Sequence, residues 1–291
     1  MRNVTEALTK EYIGKLDALS FGIAQRLSAG YGGARRAKGK GGSMEFSDFR
    51  SYIAGDDLRR IDWSGYARFD KLFVKLFTEE KQATINFFVD NSASMAFEDG
   101  DKLFLAKMLA ASLGYIFLKN TDRVNLFACG ESFLLARGGL ASKGRFYELA
   151  DVLDKMPGGG ETNLSATLAK SREHRLGSGI SFVFSDFFSA DGFEAGAKAL
   201  AEKGQAVVLV LLLSAEEAAP ALDGHVRLVD AETNAVKDIR VTPEVLSAYA
   251  KAVDTHKTRI KEFCARHGFG YLYADTSTHP LELVGKMAQA T

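Results

Sequence analysis

The sequence predicts an α/β protein: a doubly wound, mostly parallel sheet with helices on both faces, preceded by an N-terminal helix and loop extension. Three observations carry this. Segments such as INFFVD (85–90), FVFSD (182–186) and AVVLVLLL (206–213) are apolar on both faces, as strands are when helices cover both sides of a sheet. Amphipathic stretches long enough for crossover helices lie between them. All four prolines, Pro157, Pro220, Pro243 and Pro280, fall at element edges, where a missing N–H does no damage.

A helix is predicted over 5–28, with Thr5 as its cap and Leu8, Ile13, Leu16, Leu19 and Ile23 recurring near the helical period. The following YGGARRAKGKGG (31–42) is glycine-rich and basic, which reads as an exposed loop. From Lys71 onward strands are predicted at 72–78, 83–90, 123–129, 132–136, 180–186, 206–213 and 270–274, with a small hairpin around 225–241. Helices fill 101–119, 144–155, 164–174, 191–203, 243–267 and 280–289. Thr242-Pro243-Glu244 places a hydroxyl at a cap and proline at the first helical position. The chain thus divides into an extension, 1–70, and an α/β domain, 71–291. The apolar positions of 104–120 fit a sheet-packing helix face better than a membrane face.

Of the 291 residues, 46% are hydrophobic and 25% charged, the balance of a globular chain. Lys+Arg and Asp+Glu each number 37, which removes bulk electrostatic attraction to nucleic acid or an anionic membrane. Two distant cysteines, Cys129 and Cys264, fit reduced thiols in a cytoplasmic protein. The start carries no apolar stretch of signal-peptide type, and the longest apolar run, 206–213, is too short to span a bilayer. A soluble, cytoplasmic protein is expected.

In open α/β folds ligands gather beyond the carboxyl ends of the strands, and Asp90 and Asp186 both end predicted strands. After Asp90 come Ser92 and Ser94, so a turn leaving the strand can fold one carboxylate and two hydroxyls around a common centre. Such hard oxygens suit Mg²⁺ or Mn²⁺, with further ligands from other loops and water. The plainer reading has Ser92 and Ser94 capping the helix near Asp101 and Asp186 merely ending its strand.

The D-x-S-x-S run of Asp90, Ser92 and Ser94, with GGGETNLSATLA (158–169) and FVFSDFF (182–188), resembles the metal-ion-dependent adhesion site of von Willebrand factor A-like domains. The resemblance implies Thr162 and Asp186 as the remaining site residues. It also implies that Asp186 acts through a metal-bound water, and that one coordination position is left for a partner's carboxylate. Met95 and Phe97 then stand at the rim, or belong to the core.

The segment at 44–80 carries a second resemblance, to a bacterial family called domain of unknown function fifty-eight. Glu45, Phe46, Arg50 and Tyr52 match its first motif, Gly55, Asp56, Asp57, Arg59, Ile61, Asp62 and Trp63 its second, and Ala67-Arg68 its third. SDFF and RLVDAET (227–233) fit too; Asn234 and Phe69-Asp70 depart from the pattern. GDDLRRIDW brings carboxylates and guanidiniums close enough for charge-assisted pairs. Two roles stay open: a scaffold with Trp63 as an anchor in a satellite core, or partner recognition through Arg59, Arg60, Trp63 and Met95. The resemblance implies a MoxR-type AAA+ ATPase as partner and an adaptor role in maturation or remodelling of other proteins.

Competing chemistries are weaker. The 31–42 loop lacks a Walker A motif, since Ala34 and Gly41 stand where glycine and Ser/Thr are needed; a nucleic-acid-binding module using its basic residues is a further reading. The histidines, 174, 225, 256, 267 and 279, form no zinc motif, and no serine has a G-x-S-x-G setting. A Mg²⁺-dependent phosphohydrolase of the haloacid dehalogenase kind needs a second acid where Ser92 stands. The sequence therefore points to a non-catalytic, metal-dependent protein-interaction module.

Overall fold

The computed structural model describes residues 2–30, 44–79, 82–97, 101–130, 133–229 and 235–287. The basic loop 31–42 and Asn234 lie outside them. In chain order the elements are α1 (Val4–Ala7), α2 (Lys10–Gly30), β1 (Met44–Ser51), α3 (Trp63–Phe69), β2 (Phe73–Glu79), β3 (Thr84–Asp90), α4 (Ala93–Ala96) and α5 (Asp101–Lys119). They continue with β4 (Arg123–Cys129), β5 (Phe133–Leu140), α6 (Phe146–Lys155), α7 (Leu164–Lys170), β6 (Gly179–Ser185), α8 (Glu194–Glu202), β7 (Gln205–Leu213) and α9 (Ala215–Ala218). The exposed hairpin β8 (Gly224–Val229) and β9 (Val236–Val241) leads to α10 (Pro243–His267), β10 (Gly270–Asp275) and α11 (Pro280–Met287).

Two units form: Met1–Arg36 with Ala83–Thr291, and Ala37–Gln82. This differs from a division at residue 70, because contacts rather than composition decide it. The first helix breaks near Leu8, and Asn3, not Thr5, caps its opening turn by accepting from the Thr5 and Glu6 amides. Val4 and Leu16 are fully buried in the larger core, the Tyr12 hydroxyl meets that of Ser112 on α5 at 2.8 Å, and Asp154 on α6 accepts from the Val4 amide at 2.6 Å. The segment read as a core strand at 72–78 instead forms β2, paired antiparallel with β1 in the smaller unit.

The larger unit is built on a six-stranded sheet of order β10-β7-β6-β3-β4-β5, parallel except for β5, which runs antiparallel to β4. The chain starts at β3, winds outward through β4 and β5, then returns to the other side as β6, β7 and β10. Strand order therefore reverses between β3 and β6, the place where an open α/β sheet leaves a crevice at its carboxyl ends. Side chains of β3 alternate between two cores: Ile85, Phe87 and Val89 pack with α5, α6 and α11, and Phe88 with α7, α8 and α10. Thr242 caps α10 as predicted, accepting from the Val245 amide.

The sheet is less uniformly apolar than its strands read. At the end away from Asp90, Asn86, Asn125, Ser181 and Gln205 are all buried and bridge four strands. The Asn125 amide donates to Asn86 Oδ1 at 2.8 Å, and the Asn86 amide to Gln205 Oε1 at 2.8 Å; Gln205 donates onward to the Gly177 carbonyl at 2.6 Å. A satisfied buried ladder fixes strand register, whereas a broken one strands its members without partners. Asn86→Ala should lower the unfolding free energy by about 2–3 kcal/mol in urea titration; an unchanged midpoint and slope would show that the ladder is not stabilising.

In the smaller unit, the Arg50 guanidinium forks onto Asp56 at 2.8 and 2.6 Å, and Asp57 caps the turn at Leu58–Arg60. Asp62 pairs with Lys75 at 3.2 Å. Asp70 closes α3 in the left-handed region at φ 49, a conformation Asp tolerates. Trp63 is not buried as an anchor: it is 61% exposed, edge-on to Tyr66, and Arg59 and Arg60 are exposed as well.

Candidate metal centre

Asp90 is the last residue of β3, 3% exposed, and its two oxygens are held differently. Oδ1 accepts the Ser92 amide at 3.0 Å, turning the chain back over the strand end, and lies 3.5 Å from the Thr162 hydroxyl. Oδ2 accepts the Ser185 hydroxyl at 2.5 Å from the end of the neighbouring β6. Ser92 precedes the short α4, yet its hydroxyl caps no amide; it sits 3.0 Å from that of Ser94. The serines are therefore not spent on helix capping.

Thr162 arrives on the glycine loop between α6 and α7. Two backbone bonds fasten that loop to the turn after β3: the Ala93 amide donates to the Gly160 carbonyl and the Gly159 amide to the Asn91 carbonyl, each at 2.9 Å. At Gly158 a Cβ would lie 2.5 Å from that of Ala96, so only glycine permits so close an approach. The Thr162 hydroxyl also donates to the Cys129 carbonyl at 3.3 Å.

Asp186 lies one residue beyond β6, 2% exposed. Here the structure adds a residue that motif reading missed. Lys102, the second residue of α5 and 3% exposed, donates to Asp186 Oδ2 at 2.9 Å and to Glu217 Oε1 at 2.5 Å. The available signal was a lysine in a helix that is otherwise apolar nearly all round, a position that demands a carboxylate. Met95, by contrast, is fully buried in the larger core, so it supports the turn from beneath and offers no surface to a partner. Phe97 and Phe188 are the exposed aromatics on the two site segments, each 53% accessible, and Phe188 stacks on His256 at 4.2 Å.

The electrostatics follow from burial. Desolvation first, and the Asp186 carboxylate second, push the Asp90 carboxyl up to about 7, against the pull of its bonds to Ser185 and Ser92. Burial by itself would depress the Lys102 ammonium; Asp186 and Glu217 outweigh it and hold that group above its usual range. Burial raises the Cys129 thiol well above normal, so it is no nucleophile. The Lys102 ammonium is shared between two carboxylates, Asp186 and Glu217, while the charge of Asp186 also bears on Asp90, where a proton or a cation would offset it. With the hydroxyls of Ser92, Ser94 and Thr162 beside Asp90, that donor set fits a hard dication. Among the described residues no group of three or more His, Cys, Asp or Glu gathers as a metal cluster.

Fold and site define an α/β domain built on a doubly wound, mostly parallel sheet, carrying hydroxyls and carboxylates at its switch point. The chain belongs to the family described as "Protein of unknown function DUF58", which matches residues 48–259. It is 24% identical over 250 residues to the uncharacterized proteins Rv1480 of Mycobacterium tuberculosis (strain ATCC 25618 / H37Rv) and Mb1516 of Mycobacterium bovis, covering 84% of this chain and 78% of each relative. Similar solved structures include an aerotolerance-related membrane protein of Bacteroides fragilis NCTC 9343 (18% identity, TM-score 0.43, 71% of this chain and 98% of that one). BatB of Bacteroides thetaiotaomicron is similar at 15% identity and TM-score 0.42, over 70% of this chain and 96% of that one. Proximal thread matrix protein 1 of the mussel byssus, with a zinc-occupied MIDAS motif, is similar at 19% identity and TM-score 0.38, over 45% and 38%. No described helix is long and apolar enough to cross a membrane.

Proposed function

We propose that the chain is a non-catalytic, cytoplasmic interaction module whose switch-point site binds Mg²⁺ or Mn²⁺ and engages a carboxylate of a partner protein. The carrying observation is the meeting of Asp90, Ser92, Ser94 and Thr162 from two separate loops, with Asp186 near enough to raise the Asp90 carboxyl. Asp90 and the three hydroxyls would hold the ion, with Asp186 behind a water. Bound there, the ion supplies an electrophilic position that a partner's Asp or Glu completes.

The chain's own residues do the rest. Ser185 and the Ser92 amide orient the Asp90 carboxylate, and the glycine loop presents Thr162. Phe97 and Phe188 offer exposed aromatic surface of the kind that dominates binding hot spots. On the smaller unit, exposed Arg59, Arg60 and Trp63 favour the recognition role of the GDDLRRIDW segment. The partner class, a MoxR-type AAA+ ATPase served as an adaptor, is supported by the motif resemblance of residues 44–80. Capture of such an ATPase by immobilised protein should need Mg²⁺ and disappear with EDTA or Asp90→Asn. Capture that ignores both would overturn the metal-dependent mechanism.

A further inference from the structure

Lys102 is held by three parts of the fold. Its ammonium, at the start of α5, reaches Asp186 after β6 and Glu217 on α9 after β7. Glu217 is itself fixed: Oε2 accepts the Ser214 amide at 2.9 Å in a capping box, and its carbonyl accepts the Tyr249 hydroxyl from α10 at 2.7 Å. The ammonium thus has one carboxylate within the candidate site and a second, 33% exposed carboxylate outside the site residues. A tethered cation bonded to a site carboxylate repels any second cation seated there, and burial strengthens that repulsion.

We infer that Lys102 is the residue that sets the divalent-cation affinity of this site, a built-in counter-charge that holds Asp186 when no ion is bound and leans on Glu217 when one is. The inference rests on the metal-site reading above. Without Glu217 the ammonium would stay on Asp186 and oppose the ion more strongly; without the ammonium, Asp186 would be free for it. Affinity is then tuned through α9, whose capping box positions Glu217 and whose Glu217 carbonyl is tied to α10 by Tyr249.

The test is Mn²⁺ binding, read by loss of the free-ion electron paramagnetic resonance signal, for wild type, Lys102→Met, Lys102→Arg and Glu217→Gln. Lys102→Met should bind Mn²⁺ at least tenfold more tightly than wild type, Lys102→Arg should stay near wild type, and Glu217→Gln should bind more weakly. Because removing the ammonium leaves buried carboxylates unpaired, Lys102→Met is also melted with and without Mn²⁺, and its upward shift should exceed that of wild type. If wild type binds Mn²⁺ and Lys102→Met binds no more tightly and shifts no further, the inference falls and the metal site stands. If neither protein binds Mn²⁺, both fall.

Discussion

Asp90→Asn should stabilise the metal-free protein by about 2–4 kcal/mol at pH 8 and erase its response to Mg²⁺. The wild-type carboxyl is pushed up to about 7 by burial and then by Asp186, whereas in the unfolded chain it titrates near its ordinary value, about 3.9. Between those two pH values the folded state keeps a proton that the unfolded state has released. Stability of the metal-free wild type must therefore fall as pH rises from about 4 to 7 and level off above, where the full penalty of a buried carboxylate applies. Asparagine keeps an oxygen to accept the Ser92 amide and carries no charge, so it removes this slope. The same titration shapes metal binding. Below pH 7 an ion must displace a proton from Asp90, so affinity should rise about tenfold per pH unit and flatten near 7. Urea unfolding from pH 5 to 9, in EDTA and in Mg²⁺, reads both effects. A flat wild-type profile in EDTA, or an Asp90→Asn protein still stabilised by Mg²⁺, would refute the assignment.

Part of the candidate site was legible because it is local in sequence. Asp90, Ser92 and Ser94 lie within one turn, and two-sided apolar strands announced where Asp90 and Asp186 would stand. What stayed hidden depended on distant packing. β1 was missed because a bulge between Phe46 and Asp48 breaks the alternation by which a strand is read. The first helix looked like part of an extension, yet it covers α5 and α6, so helix α5 is enclosed on every side and Lys102 and Lys107 are buried with it. Lys107 answers by donating to the Met156 carbonyl at 2.8 Å, and Lys102 by finding two acids far away in the chain. Trp63 and Met95 each had two readings open in the sequence: the fold exposes Trp63, against the anchor reading, and buries Met95 in the core, against a rim or partner-binding role.

Gly179→Ala should destabilise the fold severely, because β3 and β6 lie too close at this residue to admit a side chain. Gly179 pairs with Thr84 where the two strands begin, and a Cβ there would overlap the Thr84 carbonyl oxygen and lie 2.7 Å from its carbon and nitrogen. These are backbone atoms of a buried parallel pair, which cannot rotate aside as a side-chain tip can. Relief requires the strands to splay, and splaying separates at their far ends Asp90 from the Ser185 hydroxyl at 2.5 Å, while pulling on the Asn86 ladder between. The cost should exceed about 4 kcal/mol, a large share of the roughly 5–15 kcal/mol that holds a domain together. Gly204→Ala is the control: its φ is +74 but nothing lies within 4 Å of the added Cβ, so backbone strain alone, about 1–2 kcal/mol, is expected. Circular dichroism and soluble yield distinguish the two variants. A Gly179→Ala protein melting within a few degrees of wild type would mean that β3 and β6 are not packed this closely, and would count against the proposed cation site as well.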